Sequence, residues 1–233
     1  MKKMILPLDG MTEDEALNII NSINWNKSNV RNEIWGFKIN DLLTDCGVNI
    51  IRKIKSRGFK VMADPKLYDI PNTMTNSIRK LLNAGSDIIT VHCMADYDPI
   101  ELTAPYLAGV TILTSMKPEN FERYGLINSI NLKDKFNIPA LVRNMTNIID
   151  FKDYGYVVCS PMEVEKLSKF PIKKICPGIR PEWYQEKDDQ ERTMTPKNAV
   201  KAGADLLVIG RPILKSDNII EAIKRTNEEI YSK

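Results

Sequence analysis

Short apolar runs with strand character alternate with amphipathic helical runs along the whole chain, and this alternation constrains the fold most strongly. Eight strands are predicted, at Met4–Asp9, Ile34–Asn40, Lys60–Lys66, Asp87–Cys93, Gly109–Ser115, Tyr156–Ser160, Lys174–Gly178 and Asp205–Gly210. Strands that alternate with helices are typical of a parallel sheet covered by helices. We therefore expect residues 1–233 to form one α/β domain, a (β/α)₈ TIM barrel, since such barrels commonly reach this length undivided.

An open, doubly wound sheet of the flavodoxin or Rossmann kind is the alternative fold. Such sheets often carry a G-x-G-x-x-G motif directly after the first strand. No such motif follows Met4–Asp9 here. The sequence therefore favours the closed barrel.

The helices have recognisable start and stop signals. Thr12 is followed by acidic residues and predicts a capped helix, whereas Gly85 is a plausible C-terminal cap for the helix after the third strand. The region 117–153 is longer than one connection needs, and we interpret it as two helices, the second containing Leu141–Ile149. A last helix is predicted at Asn218–Tyr231.

Charge and composition restrict the class of ligand. Hydrophobic residues make up 43% and charged residues 27% of the chain, as in globular proteins. Lys plus Arg outnumber Asp plus Glu by 33 to 30, a net charge of +3. Such a small excess does not predict nucleic-acid binding, but it suits an anionic small molecule.

The cysteine pattern and the N-terminus indicate the compartment. The four cysteines are widely spaced and the chain has one histidine, so a metal cage is not expected. Cys93, Cys159 and Cys176 fall in apolar runs, which suggests reduced thiols. The first apolar run is too short for a signal peptide and no segment reaches the length of a membrane span. We expect a cytoplasmic protein with no membrane contact.

The stretch Ala63–Thr73 places three charged side chains where a buried strand should give way to a helix. Asp64 and Lys66 are two residues apart, so on a strand they point to the same face. Asp69 lies past the expected strand end, just before a proline suited to the first turn of a helix. This stretch is a candidate catalytic site.

The charges in this stretch constrain one another. If Lys66 lies about 4 Å from each carboxylate, each pair attracts by roughly 4 kcal/mol, more than the roughly 3 kcal/mol by which the carboxylates repel. Lys66 should then stay protonated, which suits a proton donor better than a nucleophile. Alternatively, Asp69 only caps the helix and Asp64 with Lys66 forms an ordinary ion pair.

Polar residues end the predicted strands with unusual regularity. In TIM barrels the chemistry gathers at these carboxyl ends. The ends carry Asp9, Lys38, Asp64 with Lys66, His92, Thr114 with Ser115, Ser160, Gly178 with Arg180, and Gly210 with Arg211. For His92 a packing role is a better interpretation than a catalytic base.

The last two strand ends predict a phosphate site. Each supplies a glycine, which allows close backbone approach, and an arginine suited to bidentate phosphate contact. Alternatively, the glycines only form turns and the arginines are only surface charges. A glycine together with an arginine at both strand ends favours phosphate binding. Between them, Pro181–Thr195 is too polar to pack as core and is predicted to be a lid, with Gln190 as its most useful donor.

Several blocks occur together and in order along nearly the whole chain. They are Asp9, Trp35–Asn40, Asp64–Thr73, Val110–Met116, Val158–Pro161, Pro177–Arg180, Asp189–Pro196 and Ile209–Ile213. With these blocks the chain strongly resembles the orotidine 5′-phosphate decarboxylase family. The resemblance implies cofactor-free conversion of orotidine 5′-phosphate to uridine 5′-phosphate (UMP) and carbon dioxide, the last step of pyrimidine nucleotide synthesis.

The resemblance also implies roles for single residues. It implies a charged array on Lys38, Asp64, Lys66 and Asp69, with Lys66 as the proton donor. It places Asp9 and Lys38 near the ribose, and Thr114 and Ser115 near the pyrimidine. It assigns phosphate and lid contacts to Arg180, Gln190, Gly210 and Arg211. By analogy, Asp69 and Thr73 reach into the neighbouring subunit's site, which implies a homodimer.

Two other functions fit parts of the pattern. Related sugar-phosphate decarboxylases and hexulose-phosphate synthases share the barrel and the D-x-K-x-x-D motif, but they would want magnesium and an extra acid at the end of the second strand, where Lys38 stands here. A non-catalytic nucleotide-binding barrel would keep the phosphate site alone. The intact charged array is evidence against such a binder.

Overall fold

A computed structural model describes residues 3–25, 29–99, 103–123, 137–185 and 192–232. Its eight parallel strands pair in chain order and close on themselves. They are β1 Met4–Pro7, β2 Ile34–Ile39, β3 Lys60–Leu67, β4 Ile88–His92, β5 Leu107–Val110, β6 Tyr156–Val158, β7 Lys173–Cys176 and β8 Leu206–Val208. Met4 pairs with Leu207, which joins β1 to β8. The predicted (β/α)₈ barrel is thereby confirmed, and the open sheet is wrong because that sheet has two edges.

Helices follow the strands and cover the barrel. They are α1 Glu13–Asn24, α2 Leu42–Cys46, α3 Asn49–Ser56, α4 Pro71–Ala84, α5 Pro118–Arg123, α6 Ile138–Phe151, α7 Pro196–Ala202, α8 Arg211–Leu214 and α9 Ile219–Tyr231. Short 3₁₀ turns lie at Val30–Asn32, Ala104–Tyr106 and Val164–Leu167. The two predicted helices within 117–153 correspond to α5 and α6, and residues 124–136 between them lie outside the described part.

The predicted helix caps are confirmed. The Thr12 hydroxyl and the Glu15 carboxylate satisfy each other's backbone N–H groups in a capping box at the start of α1. Gly85 ends α4 with a left-handed φ of 104°, a conformation that glycine adopts without strain. Asn218 caps α9 rather than forming its first turn.

Several predicted strand ends are wrong. β1, β5, β6, β7 and β8 each stop at least two residues before the predicted end. In β5 the shift is largest: the strand ends at Val110, and the hydroxyl and N–H of the next residue, Thr111, both bond to the Val158 carbonyl of β6. The polar residues that the sequence assigned to the ends of these five strands therefore lie on the loops that follow them, whereas Lys38, Asp64, Lys66 and His92 lie within β2, β3 and β4.

The core has two layers, as the barrel architecture requires. A small cluster fills the barrel interior, and a larger one lies between the strands and the helices. The interior cluster consists of Ile5, Met62, Ile88, Ala108, Ile175, Leu206 and Val208. This packing closes the barrel below the loops and leaves a cavity at the carboxyl ends of the strands.

Candidate active site

A cavity of about 630 Å³ opens at the carboxyl ends of the strands. Its volume lies within the range typical of small-molecule sites. Of the residues predicted from the sequence, the cavity brings together Asp9, Lys38, Asp64, Lys66, Thr114, Gly178, Arg180, Gly210 and Arg211. Residues from seven of the eight strands and their loops thus meet in one place, as in TIM-barrel enzymes.

Asp64 holds two lysines in the cavity. Its Oδ2 atom lies 3.0 Å from Lys38 Nζ and 2.9 Å from Lys66 Nζ. Both Asp64 and Lys38 are buried, whereas the Lys66 side chain is 34% exposed. Of the two ammonium groups that pair with Asp64, that of Lys66 is therefore the one that faces the open part of the cavity.

The buried members of this cluster support each other's charge. Burial alone would lower the pKa of Lys38, but the Asp64 and Asp9 carboxylates outweigh burial and raise it. Burial alone would raise the pKa of Asp64, but Lys38 and Lys66 outweigh burial and lower it. Both groups are consequently charged at neutral pH, so the cavity contains fixed charges at the end of β3.

A bulge in β3 sets the direction of Lys66. Pairing with β4 shifts between Ala63, opposite Ile89, and Leu67, opposite Val91, so four steps on β3 oppose two on β4. Lys66 has a φ of +48°, which is unusual for a residue other than glycine. Bulges near active sites commonly re-aim a side chain. Here the side chains of Asp64 and Lys66 lie close together, as predicted. The strand between them is irregular, however, whereas the prediction assumed a regular strand.

Sequence reasoning missed Thr90. This residue of β4 is buried, and its hydroxyl bonds both to Asp64 Oδ1 at 2.8 Å and to the Lys66 backbone nitrogen at 2.9 Å. A threonine within an apolar strand gives little signal, because β-branched residues are favoured in strands anyway.

Asp9 and Lys38 form a second ion pair beside the first. Lys38 Nζ lies 2.5 Å from Asp9 Oδ2, and the Asp9 side chain is 44% exposed. The next residue, Gly10, donates its backbone N–H to Asp41 at 2.7 Å, which fixes the loop after β1. Asp41 was not predicted from the sequence. Lys38 thus links a carboxylate at the cavity mouth to the buried one beneath.

Asp69 does not hold Lys66 in this chain. Among the ion pairs of the described residues, Lys66 pairs only with Asp64. Of the two carboxylate contacts considered for Lys66 from the sequence, the one with Asp64 is present and the one with Asp69 is not. Asp69 is exposed and accepts from the N–H of Ile70, the N-cap residue of α4. It is therefore not itself the side-chain cap of α4. Thr73 is likewise exposed, in the first turn of that helix.

The opposite side of the cavity carries glycines and arginines. Gly178 has a φ of +76°, a left-handed conformation that favours glycine, and Gly210 is the N-cap of α8. Arg211 is the first residue of α8, and Arg180 lies beside Tyr184. Backbone N–H groups at a helix start together with guanidinium groups favour an anion.

Two predicted positions, Ser115 and His92, stand apart from this cluster, and a third is not described. Ser115 is exposed and does not line the cavity in the described part, unlike Thr114. Gln190 lies outside the described residues, as does part of the predicted lid at Pro181–Thr195. His92 packs against Tyr68, accepts from the Met94 N–H, and has a pKa lowered by burial. These contacts agree with the packing role predicted for His92.

A buried ion pair between Glu163 and Arg192 was also missed. Arg192 Nη1 lies 2.5 Å from Glu163 Oε1, and Arg192 Nη2 donates to the Leu113 carbonyl at 3.0 Å. Burial raises the pKa of Glu163, and the Arg192 guanidinium opposes that rise without cancelling it. Arg192 thus links the segment after β7 to the loop after β5, where Leu113 and Thr114 line the cavity.

Removing Arg192 is expected to destabilise the fold. Arg192→Met leaves the Glu163 carboxylate buried without its partner, which should lower the free energy of unfolding by about 3 kcal/mol or more. The double variant Arg192→Met with Glu163→Leu should recover much of that loss, since no charge then remains buried. Urea unfolding measures both. A single variant as stable as the wild type would contradict this account.

The fold and the site together identify the general class of protein. A closed parallel barrel with charged groups and an anion-binding corner at the strand carboxyl ends is the arrangement of a TIM-barrel enzyme. Residues 2–226 match the model of the orotidine 5′-phosphate decarboxylase / HUMPS family. The chain belongs to this family, which confirms the resemblance predicted from its motifs and the expectation of an enzyme.

Individual relatives match over nearly their full length. The orotidine 5′-phosphate decarboxylase of Lawsonia intracellularis is 35% identical, with 96% of this chain and 97% of that protein covered. The one from Actinobacillus succinogenes is 34% identical, with 98% and 97% covered. The crystal structure of orotidine 5′-phosphate decarboxylase from Pyrococcus horikoshii has a TM-score of 0.73 at 26% identity, covering 99% and 100%.

None of the helices in the described ranges is long and apolar enough to cross a membrane. All four cysteines are free thiols, and three of them are buried. Burial raises the pKa of Cys93 to about 12, which makes this thiol unreactive.

Proposed function

We propose that this chain decarboxylates orotidine 5′-phosphate to UMP and carbon dioxide, the last step of pyrimidine nucleotide synthesis, without a cofactor. The observation that carries the proposal is the Lys38–Asp64–Lys66 cluster at one side of a cavity whose other side holds Gly210 and Arg211. A nucleotide would span the two. Its phosphate would lie at the arginines and its pyrimidine near Lys66 and Thr114.

The charged cluster suits the bond that must break. When the bond between C6 and the carboxyl carbon breaks, its electron pair stays on C6 and carbon dioxide leaves. Lys66 offers a fixed positive charge beside that carbon, and then a proton from Nζ, which solvent later replaces. Asp64 keeps the ammonium in place through its 2.9 Å contact. Because the charge is fixed before the reaction, little reorganisation is needed when the carbanion forms.

The remaining predicted residues position the substrate. We assign the ribose to Asp9 and Lys38, the pyrimidine to Thr114 and Ser115, and the phosphate to Arg180, Gln190, Gly210 and Arg211. The phosphate contacts lie far from the reacting carbon, so their binding energy can orient the nucleotide and close the loops around it.

We infer that the enzyme works as a homodimer of single-domain subunits. Asp69 and Thr73 are exposed in this chain, which leaves them accessible to a neighbouring site. Large apolar side chains lie exposed around them, with Tyr68 at 68%, Ile70 at 66% and Met94 at 61%. Such a patch is typical of a protein–protein interface. In the dimer Asp69 would complete the partner's charged array, and Thr73 would reach into the same site.

The free thiols support the predicted cytoplasmic location, which stays a prediction.

Sugar-phosphate chemistry of the related synthases is the competing proposal. It needs an acid at the end of β2, whereas Lys38 occupies that end and pairs with Asp64. That lysine favours the nucleotide reaction.

A chelator assay separates the two reactions. We expect purified protein to consume orotidine 5′-phosphate, followed by its loss of ultraviolet absorbance, at a rate that excess EDTA leaves unchanged. Turnover of orotidine 5′-phosphate that EDTA abolishes and magnesium restores would contradict a reaction without a cofactor. Folded protein with no turnover in either condition would overturn the proposed function.

A further inference from the structure

Thr90 lies beside two charged residues that the proposed reaction uses, Asp64 and Lys66. It is 1% exposed and belongs to β4, while Asp64 and Lys66 belong to β3. Its Oγ1 atom is 2.8 Å from Asp64 Oδ1 and 2.9 Å from the Lys66 backbone nitrogen. One hydroxyl therefore contacts both the carboxylate and the backbone of the lysine.

The direction of these two hydrogen bonds is fixed by chemistry. A backbone N–H can only donate, so the Thr90 oxygen accepts from Lys66. The hydroxyl proton is then available for Asp64, whose ionised carboxylate can only accept. Asp64 is thereby fixed at both oxygens, since Oδ2 receives Lys38 and Lys66 and Oδ1 receives Thr90.

The same hydroxyl stabilises an unusual backbone conformation. Lys66 lies in the bulge of β3 at a φ of +48°, where its N–H bonds to the hydroxyl of Thr90 rather than to a β4 carbonyl. A left-handed residue other than glycine persists only when its surroundings hold it there. Because Thr90 is β-branched, its χ1 angle is restricted, which keeps the hydroxyl in place.

We propose that Thr90 is a positioning residue for the decarboxylation, which holds Asp64 and the Lys66 backbone so that the Lys66 ammonium points into the cavity. This inference rests on the proposed function. Thr90 does not line the cavity in the described part, so it acts through Asp64 and Lys66 rather than on the substrate.

Three substitutions distinguish the contribution of the Thr90 hydroxyl group from that of its methyl group. Thr90→Val keeps the shape and loses the hydroxyl, Thr90→Ser keeps the hydroxyl, and Thr90→Ala differs from the serine variant by one oxygen. Loss of a hydrogen bond to a charged group should lower kcat about 10- to 100-fold in Thr90→Val and Thr90→Ala. The Kd of UMP should change less than about threefold, since its phosphate contacts remain. Thr90→Ser should recover kcat to within about threefold of the wild type.

Thr146 supplies the control, because its hydroxyl is also buried but bonds to Val142 within α6. Thr146→Val should leave kcat unchanged, whatever its effect on stability. Amide hydrogen exchange of Lys66, measured by NMR, gives a readout besides activity: its protection should fall in Thr90→Val and Thr90→Ala and persist in Thr90→Ser.

The outcomes are distinguishable from failure of the proposed function. Wild-type protein that does not turn over orotidine 5′-phosphate would refute the reaction, whereas the exchange measurement would still test the Thr90 contact. If Thr90→Val does not fold, the serine and alanine variants decide. A Thr90→Ala or Thr90→Val variant with wild-type kcat, or a Thr90→Ser variant as impaired as Thr90→Ala, would overturn the inference.

Discussion

Lys66→Ala is expected to lower kcat by about 10⁴-fold or more, since it removes both a general acid and a fixed positive charge. Among the described residues, Asp64 would then keep the ion pair with Lys38, and the ammonium that lies beside Asp64 where the pyrimidine is proposed to bind would be missing. Binding of UMP should persist, because the ribose and phosphate contacts are made by other residues.

Turnover and UMP binding, the latter by calorimetry, are both measured for this variant. Lys60→Ala is the matched control, because Lys60 lies at the opposite end of the same strand, exposed and remote from the cavity. The control should behave as the wild type. A Lys66→Ala variant that keeps more than about a hundredth of the wild-type kcat would contradict the proposed role, given the usual range for general acids.

Arg211→Ala is expected to lower kcat/KM for orotidine 5′-phosphate by about 100- to 1000-fold, the effect of losing a bidentate charge-assisted contact to phosphate. Arg211 begins α8 directly after Gly210, and both line the cavity away from Lys66. The loss should depend on the substrate's phosphate. With orotidine, which lacks the phosphate, wild type and variant should react at equal, low rates.

Arg52→Ala serves as the control for Arg211, because Arg52 is exposed on α3 and bonds to Asn49 within that helix. Added guanidinium should partly restore the Arg211→Ala rate with the phosphorylated substrate only. An equal loss with both substrates would mean that Arg211 supports the fold or the pyrimidine end instead of the phosphate.

The parts of the site that lie close in sequence could be predicted. Asp64 and Lys66 share one strand, and their spacing alone placed them together, as the 2.9 Å contact bears out. The polar residues after β7 and β8 were predicted to share an edge because parallel strands end on the same side, and the cavity does contain Arg180 and Arg211. Barrel closure followed from the regular alternation of strands and helices.

The missed features depend on contacts between distant positions. Thr90 and Asp64 are 26 residues apart, and Glu163 and Arg192 are 29 apart, so no local pattern connects either pair. The bulge at Lys66 breaks the two-residue period on which strand prediction depends. The local spacing suggested that Asp69 lies beside Lys66 in the same chain, whereas the family resemblance implied that it reaches into the neighbouring subunit's site. Its side chain is exposed in this chain.

A crystal structure with bound UMP tests the central claim most directly. We predict that C6 of the pyrimidine lies about 3 to 3.5 Å from Lys66 Nζ, the separation of a reactive pair, with the phosphate at Gly210 and Arg211. A nucleotide bound in the opposite direction, or with C6 facing away from Lys66 and Asp64, would contradict the account.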